Sequence, residues 1–254
     1  MVKLSSRLAM IAGQVPQGSR IADIGSDHAL LPTYLVQRGV ATFAVAGEVN
    51  QGPFEAASKQ VAQANLADVV SVRRGDGLAV IGPGEVDVIT IAGMGGSLIV
   101  KILSAGESKL PGVKRLVLQP NVGEDQVRTW LLERGWVLVE EQILEEDDKI
   151  YEILTAERMA NAEERNAALY PDTIRLSCGI SVTRERLIAM GPYLLRQADP
   201  VLFAKWELEI GKLERIVETL RKSSLEASRE KEDQLRQEIA CIKEVLQCLQ
   251  KDKP

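Results

Sequence analysis

The chain has 254 residues, 45% of them hydrophobic and 26% charged, which suits one catalytic domain of ordinary size with a smaller appendage and excludes a disordered or collagenous composition. Its formal charge of -5 excludes binding of a polyanion by bulk electrostatics, so any such site must be local. The three cysteines, Cys178, Cys241 and Cys248, fall late in the chain without metal-ligand spacing, and neither a disulfide framework nor a zinc site is expected.

In chain order, Met1 to Arg7 lack the apolar stretch of a signal peptide, and no later window is apolar for the ~18 residues a membrane span requires. The expectation is a cytoplasmic protein with no membrane partner. Lys3, Arg7 and Arg20 precede the first acid, Asp23, and form either a local polyanion surface or a solvated helix face. From Arg20 to Ala156, apolar runs alternate with amphipathic stretches, the order of a parallel sheet with crossover helices. The predicted strands are Arg20 to Ile24, Thr42 to Glu48, Val69 to Arg73, Val86 to Ala92, Arg115 to Gln119, Trp136 to Glu141 and Ile150 to Ala156. Only the acidic turn Glu145 to Lys149 separates the last two, which predicts an antiparallel hairpin. A Rossmann-like α/β domain with a seven-stranded, mostly parallel sheet is the arrangement of class I methyltransferases. Beyond Ala156 the pattern is helical. Phe203, Trp206, Ile210, Leu213, Val217 and Leu220 repeat at spacings of three and four, as do Leu235, Ile239, Ile242, Leu246 and Leu249. An antiparallel coiled-coil hairpin is expected, with its turn between Arg221 and Gln234. The expected domains are therefore residues 1–157 and a helical coiled-coil domain, 158–254.

The strongest local signal is Ile21 to Ala29, an apolar strand running into Gly25 and then a helix expected to begin at His28. Asp27 stands where a phosphate-binding loop would place its second glycine. Carboxylates at this mouth repel a pyrophosphate and suit a cationic amine and sulfonium. Glu48 ends the next strand, 25 residues after Asp23, where an acid accepts hydrogen bonds from ribose hydroxyls. Asp76, followed by Gly77, comes after the third strand and can accept from an adenine amino group. Each acid could instead cap a loop, but three at successive strand ends weigh against that reading. Gly93, Met94, Gly95 and Gly96 make a loop with little bulk between a cofactor and a flat base, unless Met94 belongs to the core. Pro120 stiffens the next strand exit, and Asn121 offers an amide to a ring edge. His28, the only histidine, is either a general base or a donor to a loop carbonyl. Serine-hydrolase, P-loop and HExxH chemistry find no matching residues.

The blocks Asp23 to Ala29, Ala46 to Asn50, Ala92 to Gly96, Leu118 to Asn121 and Lys149 to Glu152 resemble those of the bacterial tRNA (adenine-22-N1)-methyltransferases, the TrmK family. This resemblance covers nearly the whole N-terminal domain. It implies S-adenosyl-L-methionine as donor, tRNA as substrate and no metal. By the same resemblance Asp23, Gly25, Glu48, Asp76 and Gly77 hold the cofactor, while Asp27, His28 and the loop Gly93 to Gly96 face the methyl group and target base. From their places beside these residues, Ser26, Val49, Ala92 and Gly93 are expected to join the cofactor site and Met94 and Asn121 the reacting groups; Gly95, Gly96 and Pro120, with the early cations Lys3 and Arg7, are expected to meet the substrate. Leu30 departs from the family, which usually has tyrosine there. The alternatives are a methyltransferase for a small molecule or protein, and a noncatalytic interaction protein that keeps the fold. A monomer is expected ahead of an oligomer.

Overall fold

The structure is a computed structural model that describes residues 2–222 and 225–251. The chain divides into two compact units, residues 1–167 and 168–254.

In the first unit, α1 (Ser6–Gly13) precedes β1 (Ser19–Ile24), α2 (Leu30–Gln37), β2 (Ala41–Glu48), α3 (Gln51–Gln63) and β3 (Val70–Arg74). There follow β4 (Val88–Met94), α4 (Gly96–Ala105), β5 (Arg115–Pro120), α5 (Glu124–Glu133), β6 (Val137–Glu146), β7 (Lys149–Glu157) and most of α6 (Ala162–Leu169), whose last two residues belong to the second unit. The sheet order is β3-β2-β1-β4-β5-β7-β6, with β7 antiparallel to both its neighbours. All seven expected strands form. Strands β1, β4 and β5 are central, which explains their near-continuous burial: a parallel strand covered on both faces has no polar side. The chain reverses its winding between β1 and β4, and such a switch point opens a crevice at the carboxyl ends of the strands. The hairpin turn is tighter than expected. Only Asp147 and Asp148 separate β6 from β7, and their φ values of 53° and 58° belong to the two-residue turn that matches strand twist.

One face of the sheet packs on α1 to α3 around Ile11, Ile21, Leu31, Leu35, Ala44 and Val61. On the α5 side Arg128 is 1% exposed and pairs with two carboxylates, that of Glu141 at 2.6 Å and that of Glu152. Helix α1 is held at its start by acceptors, as the unpaired N–H groups of a first turn require. The Ser5 hydroxyl accepts from Leu8, and the Glu146 carboxylate accepts from Ser6 at 2.5 Å and Arg7 at 3.3 Å. The unit ends ten residues beyond the 157/158 boundary expected from sequence. Asn166, whose side-chain nitrogen donates to the Trp136 carbonyl at 3.0 Å, lies within it.

The second unit corrects two expectations. It is not wholly helical: β8 (Thr173–Arg175) and β9 (Ser181–Thr183) form an antiparallel pair before α7 (Arg184–Met190), α8 (Pro192–Gln197), α9 (Pro200–Leu220) and α10 (Glu226–Lys251). Strands of three residues are too short to show a period. Cys178 and Cys248 form a disulfide between Cα atoms 5.7 Å apart, where none was expected. Their 70-residue separation hides a proximity that only the folded unit creates. Helices α9 and α10 are antiparallel, with Glu214 on Lys243 at 2.8 Å and Arg221 on Glu232 at 3.9 Å. Phe203, Trp206, Ile210, Val217, Leu235, Ile239, Ile242, Leu246 and Leu249 are buried, while Leu213 and Leu220 are half-buried. Helix α10 begins at Glu226, so most of the stretch expected to hold the turn is helical; Ser223 and Ser224 lie outside the described residues.

Candidate active site

The expected acids fall in a row along the carboxyl edge of the sheet. Strand β1 delivers Asp23, which is 5% exposed; its oxygens accept from Ser26 and Thr90, each at 2.6 Å. Burial pushes the Asp23 carboxyl up, and the two hydroxyl donors only partly oppose it. A positive charge placed here would therefore be welcome. The chain then turns at Gly25 (φ 70°), whose N–H donates to the Gly47 carbonyl at 2.9 Å. The positive φ of Gly25 is what calls for glycine here; an added Cβ would meet only the flexible tip of Met94, which can move aside.

Asp27, His28 and Ala29 follow with φ values of 37°, 62° and 54°. Three successive left-handed residues other than glycine are strained, by about 1 kcal/mol or more each. They postpone helix α2 to Leu30, two residues later than expected, and leave His28 in the turn. Asp27 and His28 are exposed and face each other at 3.5 Å. The half-buried Leu30 opens α2.

Glu48, at the end of β2, is 6% exposed. The Asp27 N–H donates to it, yet Oε1 is buried without a partner among the described residues. Burial raises the Glu48 carboxyl as well. An orphaned acceptor of this kind is costly until a donor arrives. Asp76 is exposed after β3 and, with Gly77 (φ 52°), Leu78, Leu98 and Ile102, lines a cavity of about 350 Å³. Val49 is exposed beyond Glu48.

A second cavity, about 340 Å³, is lined by Arg7, Leu8, Asp23, Gly25, Ser26, Asp27, Ala92, Gly93, Met94, Asn121 and Tyr151. Its floor is tied together by the β4 and β5 exits. Asn121 donates its backbone N–H to the Met94 carbonyl at 2.7 Å and its side-chain N–H to the Gly93 carbonyl at 2.9 Å. Three residues that line this space or support it escaped sequence reasoning. Leu8 sits on α1, Tyr151 on β7 with the Arg7 guanidinium 5.2 Å from its ring centre, and Gln119 is buried beneath Arg7. For Tyr151 the available signal was its place in the Lys149 to Glu152 block.

Other expected residues lie apart. Gly96 and Pro120 are buried and line neither cavity, and Gly95 is half-buried outside both; a Cβ at Gly96 would strike the Gly123 carbonyl. Their role in the structure is close packing of the two loops. Lys3 is exposed and outside the lining. Arg20 stands at the opposite end of β1, stacked 4.6 Å over Phe43 and bonded to the Glu85 carbonyl, so it does not join Arg7 at the mouth. Among the described residues no helix is long and apolar enough to cross a membrane, and no cluster of His, Cys, Asp and Glu suits a metal.

Residues 21–244 match the family model described as tRNA (adenine(22)-N(1))-methyltransferase. A Bacillus subtilis protein of that name is 44% identical over 96% of this chain and 98% of its own length. The crystal structure of the B. subtilis M1A22 tRNA methyltransferase TrmK superposes with a TM-score of 0.85 at 42% identity, covering 97% of this chain and all (100%) of that one. A Streptococcus pneumoniae protein solved in complex with S-adenosyl-L-methionine superposes with a TM-score of 0.79 at 40% identity, covering 96% and 100%.

Proposed function

The chain belongs to the tRNA (adenine(22)-N(1))-methyltransferase family, and on that premise we propose how its residues carry the reaction. It transfers a methyl group from S-adenosylmethionine to N1 of adenine 22 in tRNA. The observation that carries the site assignment is the buried Glu48 Oε1 at the carboxyl end of β2, without a partner among the described residues, an acceptor that fits ribose hydroxyls. Residues 1–167 are the catalytic unit and the α9–α10 hairpin is a coiled coil that reaches the tRNA body. The protein acts in the cytoplasm, where its substrate is, and as a monomer.

The site fits the donor at each end. Asp76 and the Gly77 backbone take the adenine, Glu48 takes the ribose, and Asp23 and Gly25 take the amino-acid end, with Ser26, Val49, Ala92 and Gly93 completing the walls. When bound, the donor supplies an electrophilic methyl group on a positive sulfur. Adenine N1 carries an in-plane lone pair, so it would take the methyl group, with sulfur keeping the bond pair, without first losing a proton. The ring becomes cationic. Asp27, covered by tRNA and desolvated, then faces the growing charge, which makes it an electrostatic stabiliser and not a base. His28 orients the Asp27 carboxylate. Asn121, pinned to Gly93, meets the base edge beside Met94, and positioning in line with the sulfur supplies much of the rate. Arg7 and Lys3 meet phosphates. Drawing the base out of the tRNA stack costs about a few kcal/mol, which these contacts offset.

The test is nucleoside mass spectrometry of an unmodified tRNA transcript after incubation with the protein and donor. N1-methyladenosine should form, and should vanish when adenine 22 is replaced by guanine. Its persistence in the replaced transcript would refute the position, and its absence from both would refute the activity.

A further inference from the structure

Gln119 is an anomaly of strand β5. It is 0% exposed in a central parallel strand, at a position where an aliphatic side chain would be cheaper to bury. Its amide is nevertheless fully engaged. Oε1 accepts from the Arg7 Nη1 at 2.6 Å and from the Gly93 N–H at 3.1 Å. Nε2 donates to the Pro120 carbonyl at 2.9 Å and to the Asn121 Oδ1 at 3.1 Å. The reverse orientation would set an NH2 against two donors, so the partners themselves fix which atom is oxygen. Three of those partners, Arg7, Gly93 and Asn121, line the catalytic cavity, and they come from three separate segments of the chain. The Asn121 Nδ2 closes the ring by donating to the Gly93 carbonyl.

We propose that Gln119 is a positioning residue for methyl transfer, one that ties the tRNA-contacting Arg7 through its oxygen and the base-facing Asn121 through its nitrogen. The proposal rests on the roles given above to Arg7 and Asn121. Binding and chemistry then depend on opposite ends of one amide, and the two can be separated by substitution. Gln119→Glu keeps an acceptor for Arg7 and Gly93 but cannot donate to Asn121 at neutral pH. Gln119→Met keeps the length of the side chain and removes both functions.

The experiment measures tRNA affinity without donor, donor affinity, kcat, KM for tRNA and the melting midpoint for each variant. Gln119→Glu should lower kcat at least tenfold while tRNA affinity stays within threefold. Arg7→Met should weaken tRNA binding at least fivefold and raise KM more than it lowers kcat. Gln119→Met should show both losses, with donor affinity within threefold in every case. A purely structural Gln119 would instead give kcat losses that track the melting midpoint, alike in the Glu and Met variants, with tRNA affinity unmoved; that result overturns the proposal. Should Gln119→Met fail to fold, Gln119→Glu and Arg7→Met decide the matter. Wild-type behaviour of Arg7→Met and Asn121→Ala would refute the site assignment itself. Loss in those two with a wild-type Gln119→Glu would refute only the linkage.

Discussion

Replacing Glu48 by glutamine should separate folding from function. In the free protein Glu48 is 6% exposed; burial raises its carboxyl, and the Asp27 N–H satisfies it on only one side. Glutamine keeps an acceptor for that N–H and removes the desolvated charge, so the melting midpoint should stay level or rise. In the donor complex the same change replaces a charged acceptor with an NH2 at one of two ribose contacts. Hydrogen bonds to charged groups contribute about 1.5–3 kcal/mol, so a loss near 2 kcal/mol, roughly 30-fold in Kd, is expected. Calorimetry with S-adenosylmethionine and with S-adenosylhomocysteine reads the affinity, and thermal denaturation reads the stability. Donor binding favours the ionised carboxylates of Glu48 and Asp23, both raised in the free protein, so wild-type affinity should be full at higher pH and fall as pH drops through those raised values. The glutamine variant should lose part of that dependence. An affinity within threefold of wild type, or a loss of affinity that comes with a lower midpoint, would refute the reasoning.

Asp27→Asn keeps the shape and removes the charge, and single-turnover methylation should fall at least tenfold while donor affinity changes less than threefold. The Lys3→Ala, Arg7→Ala double variant should bind tRNA more weakly and lower the salt slope of binding by about 1.5, with donor affinity unchanged in calorimetry. Glu85 is held at about 2 by its two-pronged contact with Arg73, with a further N–H from Gly82. Because that value is depressed, its stabilisation is present above the ordinary carboxylate range and is lost as pH falls towards 2. Water screens this partly exposed pair, so Glu85→Gln should cost about 1 kcal/mol in urea denaturation at pH 7, and the gap from wild type should close in acid.

The central strands left long aliphatic runs and were legible to within two residues at each end, whereas β6, partly exposed, runs five residues past its expected end at Glu141. Helix ends were harder, because three left-handed residues after Ser26 delay α2 in a way that no local propensity shows. Arg20 does not share a surface with Arg7, although the sequence grouped them as one cluster of early cations. An extended strand moves about 3.3 Å per residue, and the three steps from Asp23 carry Arg20 about 10 Å from the site edge. That Asp23, Glu48 and Asp76 share the carboxyl edge of the sheet was legible because each lies at or within two residues of a strand's end, near a glycine or a helix start. The parts played by Gln119 and Tyr151 were not legible: an amide near a strand exit and a phenol within the Lys149 to Glu152 block show that something polar is there, but not which partner it meets. What sets them apart is the company of Arg7, over a hundred positions away along the chain from either one.

The buried Arg128 group has a consequence for how Tyr151 reaches the cavity. Neighbouring residues on a strand point to opposite faces, so Tyr151 lies with α1 while Glu152 lies with α5. In the observed pairing Tyr151 stands opposite Leu144, and Ile143 opposite Glu152. A shift of β7 by one residue would turn every side chain over, driving the Glu152 carboxylate into the aliphatic layer beneath α1 and taking one of its two anions from Arg128. Breaking a buried ion pair in this way costs about 3–5 kcal/mol. The guanidinium thus works as a detent: it clicks the hairpin into the single alignment in which an aromatic ring is presented to Arg7, and it does so from the opposite face of the sheet.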